Sequence, residues 1–157
     1  MYSQEEIGLN LGLVVPEEYT KYFEEVETGP EPPSGYGTRI NEEEYSLDSF
    51  FKKNDLPLRC DFYTCEDIED IPHFIGENLL QGNDILTCFK VKHLYDIGEA
   101  GDSGHASLIQ EIDDETLMLV DPHGLYQKVR LERFIEAVKL HKKEGIQLGG
   151  FWVISSC

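Results

Sequence analysis

A histidine and an aspartate stand at the two open ends of an apolar–turn–apolar stretch. Gly104-His105-Ala106-Ser107-Leu108-Ile109-Gln110-Glu111-Ile112 reads as a strand, Asp113-Asp114-Glu115 as a tight acidic turn, and Thr116-Leu117-Met118-Leu119-Val120-Asp121 as the returning strand. With the turn centred near Asp113, antiparallel register sets His105 opposite Asp121, and such partners have Cβ atoms roughly 4.5–5.5 Å apart. An imidazole that takes a proton and a carboxylate that orients it are the base and orienter of a nucleophilic triad. His123 would point to the side of Asp121 if the strand continued, making His105, Asp121 and His123 a candidate metal set. Pro122 and Gly124 argue against it by ending the strand. A histidine at a strand start also has a plain reading, as a satisfied structural residue.

The nucleophile is harder to place. The cysteines are Cys60, Cys65, Cys88 and Cys157, with no CxxC pair, so a zinc site is not expected. Cys60 and Cys88 lie in apolar, strand-like runs and read as buried small hydrophobes. Cys65 follows Thr64, a good N-cap, and a helix N-terminus favours a thiolate. Glu66, Asp67, Glu69 and Asp70 crowd the same turn and oppose that charge. Ser103 and Ser107 flank His105 too closely in the chain to be good nucleophiles. Asn83, or a side chain upstream of it, is a candidate oxyanion donor. His73, His93 and His141 read as surface residues, and Phe151 and Trp152 as packing.

The elements that must position these residues follow from capping and periodicity. Ser3 and Glu6 form a capping box for a short helix ending at Gly12. Pro16 opens a second helix with Tyr19, Phe23 and Val26 on one face, and Thr28 to Gly37 is a Pro/Gly loop. A helix from Ser46 to about Lys53 buries Leu47, Phe50 and Phe51. Leu56 to Tyr63 is a strand. Thr64 opens a helix whose apolar face is Ile68, Ile71, Ile75 and Leu79. Gly82-Asn83 is a turn before a strand from Ile85 to Val91. A polar loop from His93 to Ser103 precedes the hairpin. Tyr126 to Val129 is a short strand, Leu131, Phe134, Ile135 and Val138 mark a helix, and Phe151 to Ser155 is a last strand. Helices first, then mostly antiparallel strands with one inserted helix, is an α+β order.

The layout from Leu56 onward resembles the papain-like superfamily, and most closely its C39-like cysteine peptidases. Four features carry the resemblance: Gly82-Asn83-Asp84-Ile85-Leu86-Thr87; Gly104-His105 opening a strand; Val120-Asp121-Pro122 closing the next; and the helix before the aromatic strand Phe151-Trp152-Val153-Ile154. Transglutaminase-like domains share a similar histidine strand and Asp-Pro pattern. The resemblance implies a papain-like α+β fold, with His105 as general base and Asp121 as its orienter in peptide or amide hydrolysis. It also implies a nucleophilic cysteine on an N-terminal helix, after a glutamine. That segment has no counterpart here, since the first cysteine is Cys60. The expectation is therefore one domain, 1–157, lacking the nucleophile helix. It is either a peptidase-type enzyme whose nucleophile is supplied to it, or a catalytically inactive relative that binds a protein or peptide. No cofactor is implied.

Composition narrows the partners. A hydrophobic content of 40% argues against disorder, and no apolar run approaches the roughly 20 residues a membrane helix needs. Glu5 and Glu6 stand where a signal peptide would carry basic residues, so a cytoplasmic location without disulfides is expected. The net charge is −18, concentrated early: residues 1–83 hold 19 acidic and 5 basic side chains, and residues 84–157 hold 12 and 8. Nucleic acid and anionic membranes are disfavoured as partners, because both require cationic surface. A peptide or protein partner is compatible, and the acidic first half is either a solvated face or a docking surface for a basic one.

Overall fold

The computed structural model describes residues 2–33, 35–95, 104–121 and 126–157. The chain divides into two compact units, Met1–Arg59 and Cys60–Cys157.

In the first unit, α1 (Gln4–Asn10) starts on a complete capping box: Ser3 Oγ accepts from the Glu6 amide at 3.1 Å, and the Glu6 carboxylate accepts from the Ser3 amide at 2.7 Å. β1 (Val14–Val15) pairs in parallel with β2 (Glu27–Thr28). Between them, the helix expected after Pro16 is only a 3₁₀ stretch, Glu17–Tyr22, and Tyr22 is 68% exposed. The Glu5 carboxylate accepts the amides of both Glu24 and Glu25, at 2.6 and 2.8 Å, and Phe23 is extended. Amides so engaged cannot continue a helix. α2 (Leu47–Lys53) is N-capped by Ser46 and buries Phe50 and Phe51.

The second unit is built on a six-stranded sheet. In chain order its elements are β3 (Leu58–Tyr63, its first two residues preceding the boundary), α3 (Ile71–Leu80), β4 (Asp84–Lys90), α4 (Val91–Leu94), β5 (Gly104–Ile112), β6 (Thr116–Val120), β7 (Tyr126–Arg130), α5 (Leu131–Lys139), the small ribbon β8 (Lys142–Lys143) and β9 (Ile146–Gln147), and β10 (Gly150–Ser156). The sheet order is β3-β10-β4-β5-β6-β7, and the neighbours from β10 to β7 are antiparallel. The architecture is thus α+β with a mostly antiparallel sheet. No helix among the described residues is long and apolar enough to cross a membrane.

Period-2 alternation puts one face of the sheet into the core. Ile85, Thr87 and Phe89 of β4, Ser107 and Ile109 of β5, and Leu117 and Leu119 of β6 are buried there. Two helices close that core: α3 contributes Ile71 and Ile75, and α5 contributes Leu131, Phe134, Ala137 and Val138. Phe134 stands edge-on to both Phe89 and Phe151, at centroid separations of 6.0 and 6.2 Å.

Two expectations are corrected here. The helix expected from Thr64 begins at Ile71, capped by Asp70. Pro72 lacks an N–H and clashes with the preceding turn, so it fits only in a first turn. Thr64 instead donates its amide and hydroxyl to Asp67, both at 2.7 Å, closing a separate turn. Cys65 is therefore not at a helix N-terminus. His141, expected on the surface, is only 9% exposed. It lies two residues past the end of α5, where its amide donates to the Val138 carbonyl and its own carbonyl accepts the amides of Leu148 and Gly149.

Candidate functional site

The site is built around Asp121, which is 8% exposed at the end of β6. The turn before β6 is closed by Asp113, whose carboxylate accepts the Glu115 and Thr116 amides and the Thr116 hydroxyl. β5 and β6 pair as Ile112 with Leu117 beside the turn and as Leu108 with Val120 farther out, with a bulge between Ile109 and Glu111. The register therefore differs by two positions from the one expected. Ser107 comes against Asp121, and His105 lies two residues beyond. A two-residue offset keeps both side chains on one face, whereas a one-residue offset would turn them apart. The bulge makes that parity possible, because it lets both Ile109 and Ile112 reach the core although three positions separate them.

The Asp121 carboxylate gathers three donors. The Ser107 hydroxyl donates to Oδ1 at 2.5 Å, and His105 Nε2 lies 2.9 Å from the same oxygen. The Gln127 amide on β7 donates to Oδ2 at 3.0 Å. A carboxylate that takes hydrogen bonds on both oxygens is an acceptor, so the imidazole nitrogen facing it carries the proton. The lone pair of a neutral His105 is then on Nδ1. His105 is opposite Phe89 on β4, its ring edge-on at 5.8 Å, and its side chain is about one-third exposed.

Gly104 and Gly149 allow this end of the sheet to close. A Cβ on Gly104 would lie 2.3 Å from the His141 imidazole, and one on Gly149 would lie 2.1 Å from the Val138 carbonyl oxygen. Tyr95 follows α4 and packs its ring on Phe89 at 5.9 Å. Its hydroxyl is buried with no hydrogen-bond partner among the described residues. Burial first, and the nearby Asp121 charge second, push that hydroxyl up to about 12.

The candidate nucleophiles lie elsewhere. Cys88 pairs with Ala106, so strand alternation puts it on the sheet face opposite Phe89 and His105. Burial pushes its thiol up to about 12. Cys65 is also held above the ordinary thiol value by burial, with Lys139 acting against the rise and Glu66 adding to it. Cys60 is half-buried on β3, and Cys157 is exposed. Ser107 is 2% exposed and engaged with Asp121, so it braces the carboxylate. Asn83 donates to Asn78 Oδ1 at 2.9 Å. Ser103 and His123 lie outside the described residues, and among the described residues no three His, Cys, Asp or Glu side chains form a metal-binding group.

Sequence reasoning passed over Gln127 and Tyr95. Gln127 had a signal, being a polar residue on the same face of its strand as Val129, which packs on the core. Chemically, the arrangement offers a basic imidazole nitrogen at the rim and a braced carboxylate behind it. No protein-family model matches this sequence, and no curated protein matches it either.

Proposed function

We propose that the chain is a peptidase-like domain of the papain-like, C39-like kind, with His105 as general base in peptide or amide hydrolysis. The observation that supports this is the 2.9 Å contact between His105 Nε2 and an Asp121 carboxylate fixed by Ser107 and Gln127. Such a carboxylate holds one imidazole tautomer and stabilises the imidazolium formed during acyl transfer. His105 Nδ1 takes the proton of a nucleophile supplied to the site and returns it to the leaving amine. General-base assistance of this kind contributes typically 10²–10⁴-fold.

The placement of the cysteines favours a second reading, a non-catalytic module that binds a peptide or protein. Cys88 faces away from His105, and the Cys65 and Cys88 thiols are both raised. Iodoacetamide labelling across pH, read per cysteine by mass spectrometry, separates the two. Rapid labelling of one cysteine near pH 6, slowed by His105→Ala, establishes an ion-paired thiolate within the chain. If every cysteine labels as an ordinary or buried thiol, a peptide amide substrate is assayed with and without added small thiol. Turnover lost in His105→Ala then supports general-base action with a supplied nucleophile, and no turnover in either condition supports the binding module.

A further inference from the structure

A groove of about 1040 Å³ lies between the turn after β3, the first turns of α3 and the end of α5. None of His105, Ser107, Asp121 and Gln127 lines it, so its binding capacity does not depend on the role of the dyad. Its floor is apolar: Ile68, Phe74 and Ile135 pack against the core from one side and face the groove from the other. Its rim is acidic. Asp67, Glu69, Asp70 and Glu77 line it, against one ammonium, Lys139. Asp67 and Asp70 are engaged by backbone amides of Thr64 and His73. Glu69 and Glu77 are exposed and make no ion pair among the described residues.

An apolar floor under four carboxylates selects by two criteria at once. The floor rewards burial of one or two aliphatic or aromatic side chains. The rim repels anions and attracts cations, and charges gathered within one groove act together at physiological salt, where the screening length is about 8 Å. Acidic peptides, anionic lipid surfaces and nucleic acid fail the second criterion. We propose that this groove docks a short cationic, amphipathic segment of a partner protein, with apolar side chains on the floor and flanking Lys or Arg on Glu69 and Glu77.

The test is fluorescence anisotropy with the whole chain and three labelled peptides of equal length. One mixes Lys/Arg with Leu/Phe, one replaces its cations by Glu, and one keeps its cations but replaces Leu/Phe by Gly/Ser. The first should bind at least tenfold more tightly than either of the others. The exposed double variant Glu69→Lys/Glu77→Lys should lose at least tenfold in affinity for it with an unchanged unfolding temperature. Amide shift changes in ¹⁵N-labelled protein should concentrate at residues 63–78 and 135–139. Equal binding of the two cationic peptides would reduce the effect to diffuse charge attraction and overturn the proposal. So would unchanged affinity in the double variant, shift changes confined to other residues, or no binding at millimolar peptide.

Discussion

His105 and Asp121 meet two positions out of direct opposition. Ser107 stands across from Asp121, and the imidazole reaches back 2.9 Å to the same carboxylate oxygen that the Ser107 hydroxyl occupies. The carboxylate is thus held from β5 and β7 at once, whereas the imidazole's hydrogen bond is to Asp121. Asp121 is 8% exposed, and the His105 side chain 32%. The two members of the pair therefore have different weights in the fold.

That asymmetry predicts opposite sensitivities. Asp121→Ala strands the buried Ser107 hydroxyl and the half-buried Gln127 amide and should cost roughly 2–4 kcal/mol, at about 1–3 kcal/mol for the fully buried group and less for the other. His105→Ala should cost about 1 kcal/mol or less, as expected for a part-exposed residue at the rim. Urea unfolding of both variants measures this. A loss of several kcal/mol in His105→Ala would make His105 a structural residue and remove the case for a base held ready at the rim.

Ser107 and Asp121 should be energetically coupled. Ser107→Ala removes the 2.5 Å donor and should cost about 1–2 kcal/mol in the wild-type background. With Asp121 already replaced by Ala, Ser107 has lost its acceptor, and removing its hydroxyl should cost much less. The double-mutant cycle should give a coupling above about 0.5 kcal/mol. Additive losses would mean that Ser107 contributes only packing.

The sheet was legible because its strands are short apolar runs bounded by turn residues. Ile85 to Phe89 follows Gly82-Asn83, and Thr116 to Val120 follows Asp113-Asp114-Glu115, whose tight turn also forecasts the antiparallel pairing of β5 with β6. The exact opposition of residues 105 and 121 was not legible, because the turn centre and the bulge each move the register, and only their combined effect is an even shift. Gln110 and Glu111, two polar residues in succession between Ile109 and Ile112, carry the trace of that bulge. The start of α3 was misplaced because Thr64 and Asp70 are both competent caps, and the choice between them rests on where Pro72 can stand. Tyr95 joins the site through its ring contact with Phe89, a long-range relationship with no local sequence signature.

The hairpin turn should contribute to acid sensitivity. The Thr116 hydroxyl first, then the Glu115 and Thr116 amides, hold the Asp113 carboxyl well below the usual carboxylate range. A carboxyl lowered in the folded state contributes stability that is present above its unfolded value, here near 3.8, and is lost as pH falls through the folded one. Urea midpoints should therefore decline below about pH 4. Asp113→Ala should be less stable at pH 6 and show a shallower decline, and an unchanged acid limb in that variant would assign the loss to other carboxyls.

The alkaline limb has the opposite sign and a different owner. Burial raises the Cys88 thiol from 9.0 to about 12. A group whose folded value is raised contributes stability below its unfolded value, and that contribution is withdrawn as pH climbs through the folded one. Between about pH 9 and 12 the unfolded chain releases the Cys88 proton while the folded chain retains it. Stability should therefore fall across that window, because only the unfolded chain gives up the proton there. Tyr95, raised from 10.0 to about 12, adds a smaller decline of the same sign beginning near pH 10. Cys88→Ala should therefore remove the decline between about pH 9 and 10 and reduce its slope above pH 10, while Tyr95→Phe should leave the first part intact and reduce the slope of the second. Under native conditions at pH 8 the Cys88 thiol should resist iodoacetamide until the protein is unfolded. Labelling of Cys88 in the folded protein at the rate of the exposed Cys157 would show that the thiol is not held protonated by burial, and the alkaline limb would then need another source.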